Sequence, residues 1–294
     1  MALGERIFDI THRAVVMGIL NRTPDSFYDR GEHFDMDAFL ARAETLVGDG
    51  ADVLDVGGVK AGPGDEVSEA EETERVVPAI EALAARFDVP LSVDTWRASV
   101  LRESIAAGAC VGNDISGFAD PDYLPVAAAG AASVVATHIR LRPRVPDPAP
   151  VYDDLVGEVA AFLVDRARRA EAHGIPCERI MVDAGLDLGK TEPMSLTLLA
   201  ASARLAGLGW PLLLSASNKR FLGDLFERPL EDRADLNVAA HTIGIARGCR
   251  ILRVHDARAA VRVSEFVAAL LAADASAAAS PDGVGANVAG HDRA

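Results

Sequence analysis

Cysteine is scarce in this chain, and its few copies stand far apart: Cys110, Cys177 and Cys249, each just ahead of an apolar run. An odd number of dispersed thiols suits buried free thiols in a reducing compartment better than bridges or a zinc site. Long hydrophobic runs are missing too. No stretch approaches the roughly 18 apolar residues that a membrane span needs, and the N-terminus, with Glu5, Arg6 and Asp9, lacks the apolar core of a signal peptide. The expectation is a cytoplasmic protein with no membrane partner. Positive charge is in short supply as well, with 29 Lys and Arg against 44 Asp and Glu, a net charge of −15. That balance argues against any extended nucleic-acid footprint, because phosphate backbones demand clustered cations. A small anionic ligand needs positive charge gathered at one place.

What is present is enough apolar material for a large core. Half of the 294 residues are hydrophobic and a quarter are charged, which suits one (β/α)8 barrel or two smaller domains. The chain's most telling stretch is Met17-Gly18-Ile19-Leu20-Asn21-Arg22-Thr23-Pro24-Asp25-Ser26-Phe27. Residues 14–20 read as a buried strand that breaks into polar residues, with Pro24 forbidding a helix, so the strand delivers Asn21 to its own C-terminal end. Thr23, Asp25 and Ser26 offer oxygens to a hard cation, and Arg22 suits a phosphate. The same residues also suit an ordinary βα connection with a capped helix after it.

From there the pattern alternates. Short apolar strands are predicted at residues 14–20, 53–56, 91–93, 110–111, 133–136, 179–182, 211–214 and 251–254. Helical spacing fills residues 36–47, 68–87, 97–107, 152–173, 236–247 and 261–272, with a short Ala-rich helix near 126–132 and another helix from Pro193. Ser68 and Glu71 form a capping box, and the four prolines of residues 142–150 make an irregular loop. Eight strands with helices between them predict a single α/β domain, a (β/α)8 barrel over residues 1–273, followed by a disordered tail over 274–294.

In such a barrel the strand ends share one mouth. The residues stopping the strands are Asn21, Asp55, Asp94, Asn113, Asp114, His138, Asp183, Lys219, Arg253 and His255. Carboxylates and amides can pair with a nitrogen-rich heterocycle, while Lys219, Arg253 and His255 supply positive charge for an anionic group. Any one of them also has a structural use: Asp55 and Asp114 could cap turns, and Arg253 and Asp256 could pair at a barrel rim.

The motifs in order are Gly18-Ile19-Leu20-Asn21 with Thr23-Pro24-Asp25-Ser26-Phe27, Asp55-Val56-Gly57-Gly58, Ser92-Val93-Asp94-Thr95, Asn113-Asp114-Ile115-Ser116-Gly117, Asp183 with Gly189-Lys190, Lys219 with Phe221-Leu222-Gly223, and Arg253-Val254-His255-Asp256. This series resembles dihydropteroate synthase, the pterin-binding barrel of folate synthesis, over about residues 12–272. The resemblance implies condensation of 6-hydroxymethyl-dihydropterin pyrophosphate with p-aminobenzoate and release of pyrophosphate. It further implies that Asp94, Asn113, Asp183 and Lys219 hold the pterin, that Asn21 carries a Mg²⁺ on the pyrophosphate, and that Arg253 and His255 hold the pyrophosphate. Lys219, Arg253 and His255 are then the catalytic set. The family also pairs as homodimers, which points to the helices at 236–247 and 261–272.

Several positions depart from the family. Val59-Lys60-Ala61-Gly62-Pro63-Gly64 stands where the family has Glu-Ser-Thr-Arg-Pro-Gly. Arg220 replaces a Ser that helps hold the aminobenzoate carboxylate, Leu188 replaces an aromatic, and Thr137 replaces Met. The changes fall mostly on the second-substrate side, so the expected protein is a diverged second paralogue. It keeps the pterin half, binds p-aminobenzoate or sulfa analogues weakly, and is impaired or inactive as a synthase. The alternatives are an active dihydropteroate synthase in which Arg22, Lys60 and Arg220 substitute for the lost residues, a non-catalytic binding protein, and a pterin-dependent methyltransferase.

Overall fold

A computed structural model describes residues 1–23, 28–29, 33–62 and 64–279. Residues 24–27, with Asp25 and Ser26, and the tail from residue 280 lie outside the described residues, as does Pro63. The chain opens with a hairpin absent from the sequence reading, β1 (Ala2–Leu3) against β2 (Arg6–Ile7). The first barrel strand follows, β3 (Val15–Asn21), and then a second hairpin of β4 (Tyr28–Asp29) and β5 (His33–Phe34). The helix Met36–Gly48 leads to β6 (Val53–Gly57), and Glu69–Ala84 to β7 (Leu91–Asp94). Ala98–Ala106 precedes β8 (Val111–Asp114), and Tyr123–Ala129 precedes β9 (Ser133–Thr137). Leu155–Ala172 leads to β10 (Ile180–Asp183), and the two short helices Glu192–Ala200 and Ser202–Ala206 lead to β11 (Leu212–Leu214). Helix Ala234–Ala246, β12 (Cys249–Val254) and helix Ala257–Ala279 complete the described residues.

Eight of these strands, all parallel, close in the order β10-β11-β12-β3-β6-β7-β8-β9. The expected (β/α)8 barrel is therefore the fold. Alternation along the strands builds two cores. Val15, Met17, Val53, Val111, Val135, Met181, Leu213 and Ile251 fill the barrel interior, and Leu3 of the N-terminal hairpin joins them, fully buried. Val16, Leu20, Leu54, Val56, Val93, Val134, Val182 and Leu252 face outward against the helices. Above the inner apolar layer, the same inward parity continues into polar residues.

The Ser68 cap holds as predicted, its side chain accepting the Glu71 N–H. The last helix does not stop at 272. It continues through Ala279, so residues 274–279, assigned to a disordered tail, are helical; alanine runs carry the highest helix propensity even where amphipathic periodicity fades. Cys177 is exposed in the 3₁₀ turn Cys177–Arg179 outside the barrel, which corrects the expectation of three buried thiols; Cys249 is buried and Cys110 intermediate.

Candidate active site

Backbone register sets the site. Asn21 pairs with Gly57, Gly57 with Asp94, and Asp94 with Asn113, so these residues form one row around the C-terminal rim. Asp55 and Ser92 pair in the row beneath. Parity then sorts the candidates. Asn113 points into the barrel, so Asp114, its neighbour, points out. Its carboxylate accepts the N–H groups of Ser116 (2.5 Å) and Phe118 (2.7 Å), tying down its own turn, and burial pushes it up to about 6.

Arg253 is the hub of the mouth. Its Nε donates to Asp55 Oδ2 at 2.6 Å and its Nη2 to Asp94 Oδ2 at 2.8 Å. Asp55, fully buried, also accepts from Ser92 Oγ at 2.5 Å and Asn113 Nδ2 at 3.2 Å. A buried carboxylate with three donors on other strands is a structural keystone under the rim. Burial pushes the Asp94 carboxyl up to about 7 despite Arg253, with Asp55 adding to the rise.

Asp183 is buried, and its Oδ1 accepts the Gly185 N–H at 2.8 Å. Burial raises its carboxyl, while Lys219 pulls it back. Lys219 Nζ donates to the Leu186 carbonyl at 2.6 Å, and burial lowers its ammonium. His255 differs from the expectation. Burial, with Arg253 and Arg42 nearby, drops it to about 4, so the imidazole is neutral in the ligand-free protein and offers a hydrogen bond in place of a positive charge. Ser217 Oγ lies 3.0 Å from its Nδ1 and accepts its backbone N–H at 3.2 Å. Arg22 is buried with its guanidinium 5.5 Å from the centre of the Phe39 ring.

The Asn21 amide oxygen and Asp94 Oδ2 border one gap at the rim, lying 3.4 and 3.7 Å from the point where a Cβ on Gly57 would sit. Gly57 thus leaves space beside two oxygens, of which Asp94 Oδ2 also accepts from Arg253. Among the described residues no group of three His, Cys, Asp or Glu could hold a metal by itself. A cation there would take one or two protein oxygens and complete its shell with water and substrate, the habit of Mg²⁺.

The loop after β10 is held by a residue that the sequence offered only inside a motif. Lys190 Nζ bonds His138 Nδ1 (2.8 Å) and the carbonyls of Gly185 (2.8 Å), Leu188 (2.9 Å) and His138 (3.2 Å). Any side chain at Gly185, whose φ is +65°, would drive its Cβ into the His138 carbonyl. Burial lowers Lys190 to about 7 and His138 to about 3. The unfolded chain therefore binds more protons than the folded one between about 7 and 10.5, and the Lys190 contribution to stability rises with pH across that window. Denaturant titrations at the two ends of the window should show a rise in the parent that Lys190→Met lacks.

The family departures converge. Ala61, Gly62, Leu188 and Arg220 line one cleft of about 290 Å³ beside the mouth, together with the loop after β9. Arg220 is 75% exposed and already engaged, by Glu192 at 2.9 Å and Asp224 at 3.0 Å.

A closed barrel that gathers carboxylates, an amide, Lys, Arg and His from separate strand ends has the small-molecule site of the (β/α)8 class. More narrowly, the chain belongs to the dihydropteroate synthase family: the family described as "Pterin binding enzyme" matches residues 17–255. It is 39% identical over 273 residues to dihydropteroate synthase of Synechocystis sp., covering 92% of this chain and 94% of that one. It is 43% identical over 268 residues to "Inactive dihydropteroate synthase 2" of Mycobacterium leprae, covering 88% and 91%. Among solved structures, dihydropteroate synthase of Xanthomonas albilineans with 4-aminobenzoic acid superposes with a TM-score of 0.84 at 41% identity, covering 92% of this chain and 97% of that one.

Proposed function

We propose that this barrel binds a pterin pyrophosphate in its mouth and catalyses dihydropteroate synthesis poorly, because the second-substrate cleft has lost its aminobenzoate contacts. The observation that carries this reading is Arg220. The residue in the family's Ser position is turned into an exposed pair with Glu192 and Asp224. Arg22, packed against Phe39, is likewise not part of that cleft, which weakens the reading of a rebuilt anion site on Arg22, Lys60 and Arg220.

In the proposed roles, Asp94, Asn113, Asp183 and Lys219 meet the edge of the heterocycle, and Arg253 and the neutral His255 meet the pyrophosphate. The family reaction breaks the methylene C–O bond to pyrophosphate and forms a C–N bond to the arylamine. Arg253 serves it by stabilising the charge that collects on the leaving group. Asn21, with Asp94 beside it, fits as a protein ligand to Mg²⁺, which when bound with the pyrophosphate neutralises part of that charge.

Calorimetric titration with 6-hydroxymethyl-dihydropterin pyrophosphate and Mg²⁺, followed by an assay with p-aminobenzoate, tests both halves. Binding without appreciable turnover is expected; rapid turnover overturns the impaired reading and favours the active-synthase alternative. Asp183→Asn should weaken pterin binding by about tenfold or more while shifting Tm little, because the amide oxygen still accepts the Gly185 N–H. A matching loss of fold would show the residue to be structural.

A homodimer through the last two long helices is the proposed assembly. Val238, Ile243, Phe266 and Leu270 are exposed there at 38, 44, 70 and 50%. Phe266→Glu should convert a species of twice the 30.9 kDa chain mass to monomer in light scattering, and a parent that is monomeric at micromolar concentration ends the idea.

A further inference from the structure

The loop after β11 carries two side chains that bond the loops of the neighbouring strands, one on each side. Lys219 donates to the Leu186 carbonyl beyond β10, and Ser217, two positions earlier, meets His255 beyond β12. Ser217 is buried, and the backbone beside it is clamped. Asn218 has a φ of +62°, a left-handed conformation that Asn tolerates, and Asn237 of the helix Ala234–Ala246 clasps it twice. The Asn218 N–H donates to Asn237 Oδ1 at 2.9 Å, and Asn237 Nδ2 donates to Asn218 Oδ1 at 2.8 Å. Arg233 Nη1 donates to the carbonyls of Asn218 and Lys219, each at 3.1 Å.

The protons at Ser217 fix the state of the imidazole. A hydroxyl has one proton to donate and two lone pairs to accept with. Ser217 Oγ accepts the His255 backbone N–H at 3.2 Å, and Nδ1 of the same residue stands 3.0 Å away. Among the described residues this hydroxyl is bonded to no other acceptor. If Nδ1 carried the ring proton, Oγ would accept two N–H groups while its own proton had no partner in a buried place. If Nδ1 is bare, the backbone N–H, the hydroxyl and the ring nitrogen are all satisfied by two bonds. Burial, with Arg253 nearby, keeps the ring neutral, so its single proton then sits on Nε2. Nε2 makes no hydrogen bond among the described residues and is not among their buried polar atoms, so it stands open to a ligand.

We infer that Ser217 is the positioning residue for His255: its hydroxyl donates to Nδ1, fixes the proton on Nε2, and so gives the ring an N–H for an anionic oxygen and no lone pair for a metal ion. Two kinds of ligand are thereby kept apart at the rim. Phosphate oxygens go to Arg253 and His255, and a hard cation goes to the oxygens beside Gly57. The inference rests on the proposed place of His255 at the pyrophosphate, but the tautomer it assigns belongs to the ligand-free protein.

NMR on the full chain labelled with ¹⁵N-histidine reads the tautomer, and His255→Gln identifies the ring among the seven histidines. The parent should show a protonated Nε2 and an unprotonated, hydrogen-bonded Nδ1. Ser217→Ala should move the Nδ1 shift and weaken the binding of inorganic pyrophosphate with Mg²⁺, read by calorimetry, about tenfold at unchanged Tm, because a donor to a charged group is no longer held in place. Ser217→Thr keeps the hydroxyl and should return both readings to the parent's values. A parent ring protonated on Nδ1 overturns the inference. So does a Ser217→Ala protein that binds pyrophosphate as tightly as the parent, or a loss that Ser217→Thr shares. A parent with the proton on Nε2 that binds no pyrophosphate confirms the tautomer and tells against the proposed function instead.

Discussion

Replacing Arg253 with methionine is expected to destabilise the protein by about 3 to 5 kcal/mol at pH 7 and to abolish measurable pterin pyrophosphate binding. The guanidinium is 16% exposed and lies between a fully buried Asp55 and an Asp94 that is itself 16% exposed. Methionine fills much of the volume but leaves two carboxylates facing each other in a low-dielectric mouth. The pH dependence carries the signature. An Asp94 carboxyl raised to about 7 binds protons more tightly folded than unfolded, so its effect on stability is unfavourable above that value and disappears as pH falls toward the ordinary 3.8. Without Arg253 that carboxyl rises further, so the variant should recover stability relative to the parent as the solution is acidified. Urea unfolding at pH 5 and pH 7.5 measures it. A deficit that is the same at both values would mean that Arg253 contributes packing and not charge.

The second large effect concerns the cleft. Gly62→Arg, Leu188→Phe and Arg220→Ser together should raise p-aminobenzoate turnover by about a hundredfold over the parent. A charge-assisted contact and an aromatic packing surface contribute about 3 kcal/mol between them. The backbone permits the changes. Nothing lies within 4 Å of a Cβ at Gly62, and Arg220 leaves behind an exposed Asp224 and a half-buried Glu192. Arg220→Ser alone is the discriminating variant, since it should raise or leave unchanged the turnover of a decayed site and lower that of a site rebuilt on Arg220. A triple variant no faster than a measurably active parent removes the decay reading.

The barrel was legible because its strands are short apolar runs separated by helical periodicity, and each run ends in a residue that no core would take. Period-two alternation could have gone further. It separates Asn113 from Asp114, and it puts Asp55 in the layer under Asp94 and not in a turn cap. Other features carried no local signal. Two-residue strands such as Ala2–Leu3 have no period to detect. Lys190 acquires its role from His138, 52 positions away, and Ser217 from His255, beyond the next strand. Both depend on which strand ends the barrel brings side by side, so no window on the sequence contains them. The neutral state of His255 likewise follows from burial beside Arg253, a property of the assembled mouth.

The link from Arg253 to Asp55 spans 198 positions. As the chain emerges from the ribosome, Asp55 and Asp94 are both made before the cation that joins them, and β12 is the last strand to be laid between β11 and β3. A nascent or clipped chain lacking its final fifty residues therefore exposes an acidic rim with an open seam on either side. Closing the seam is what brings Arg253 to its two carboxylates, so the mouth is complete only in a finished barrel.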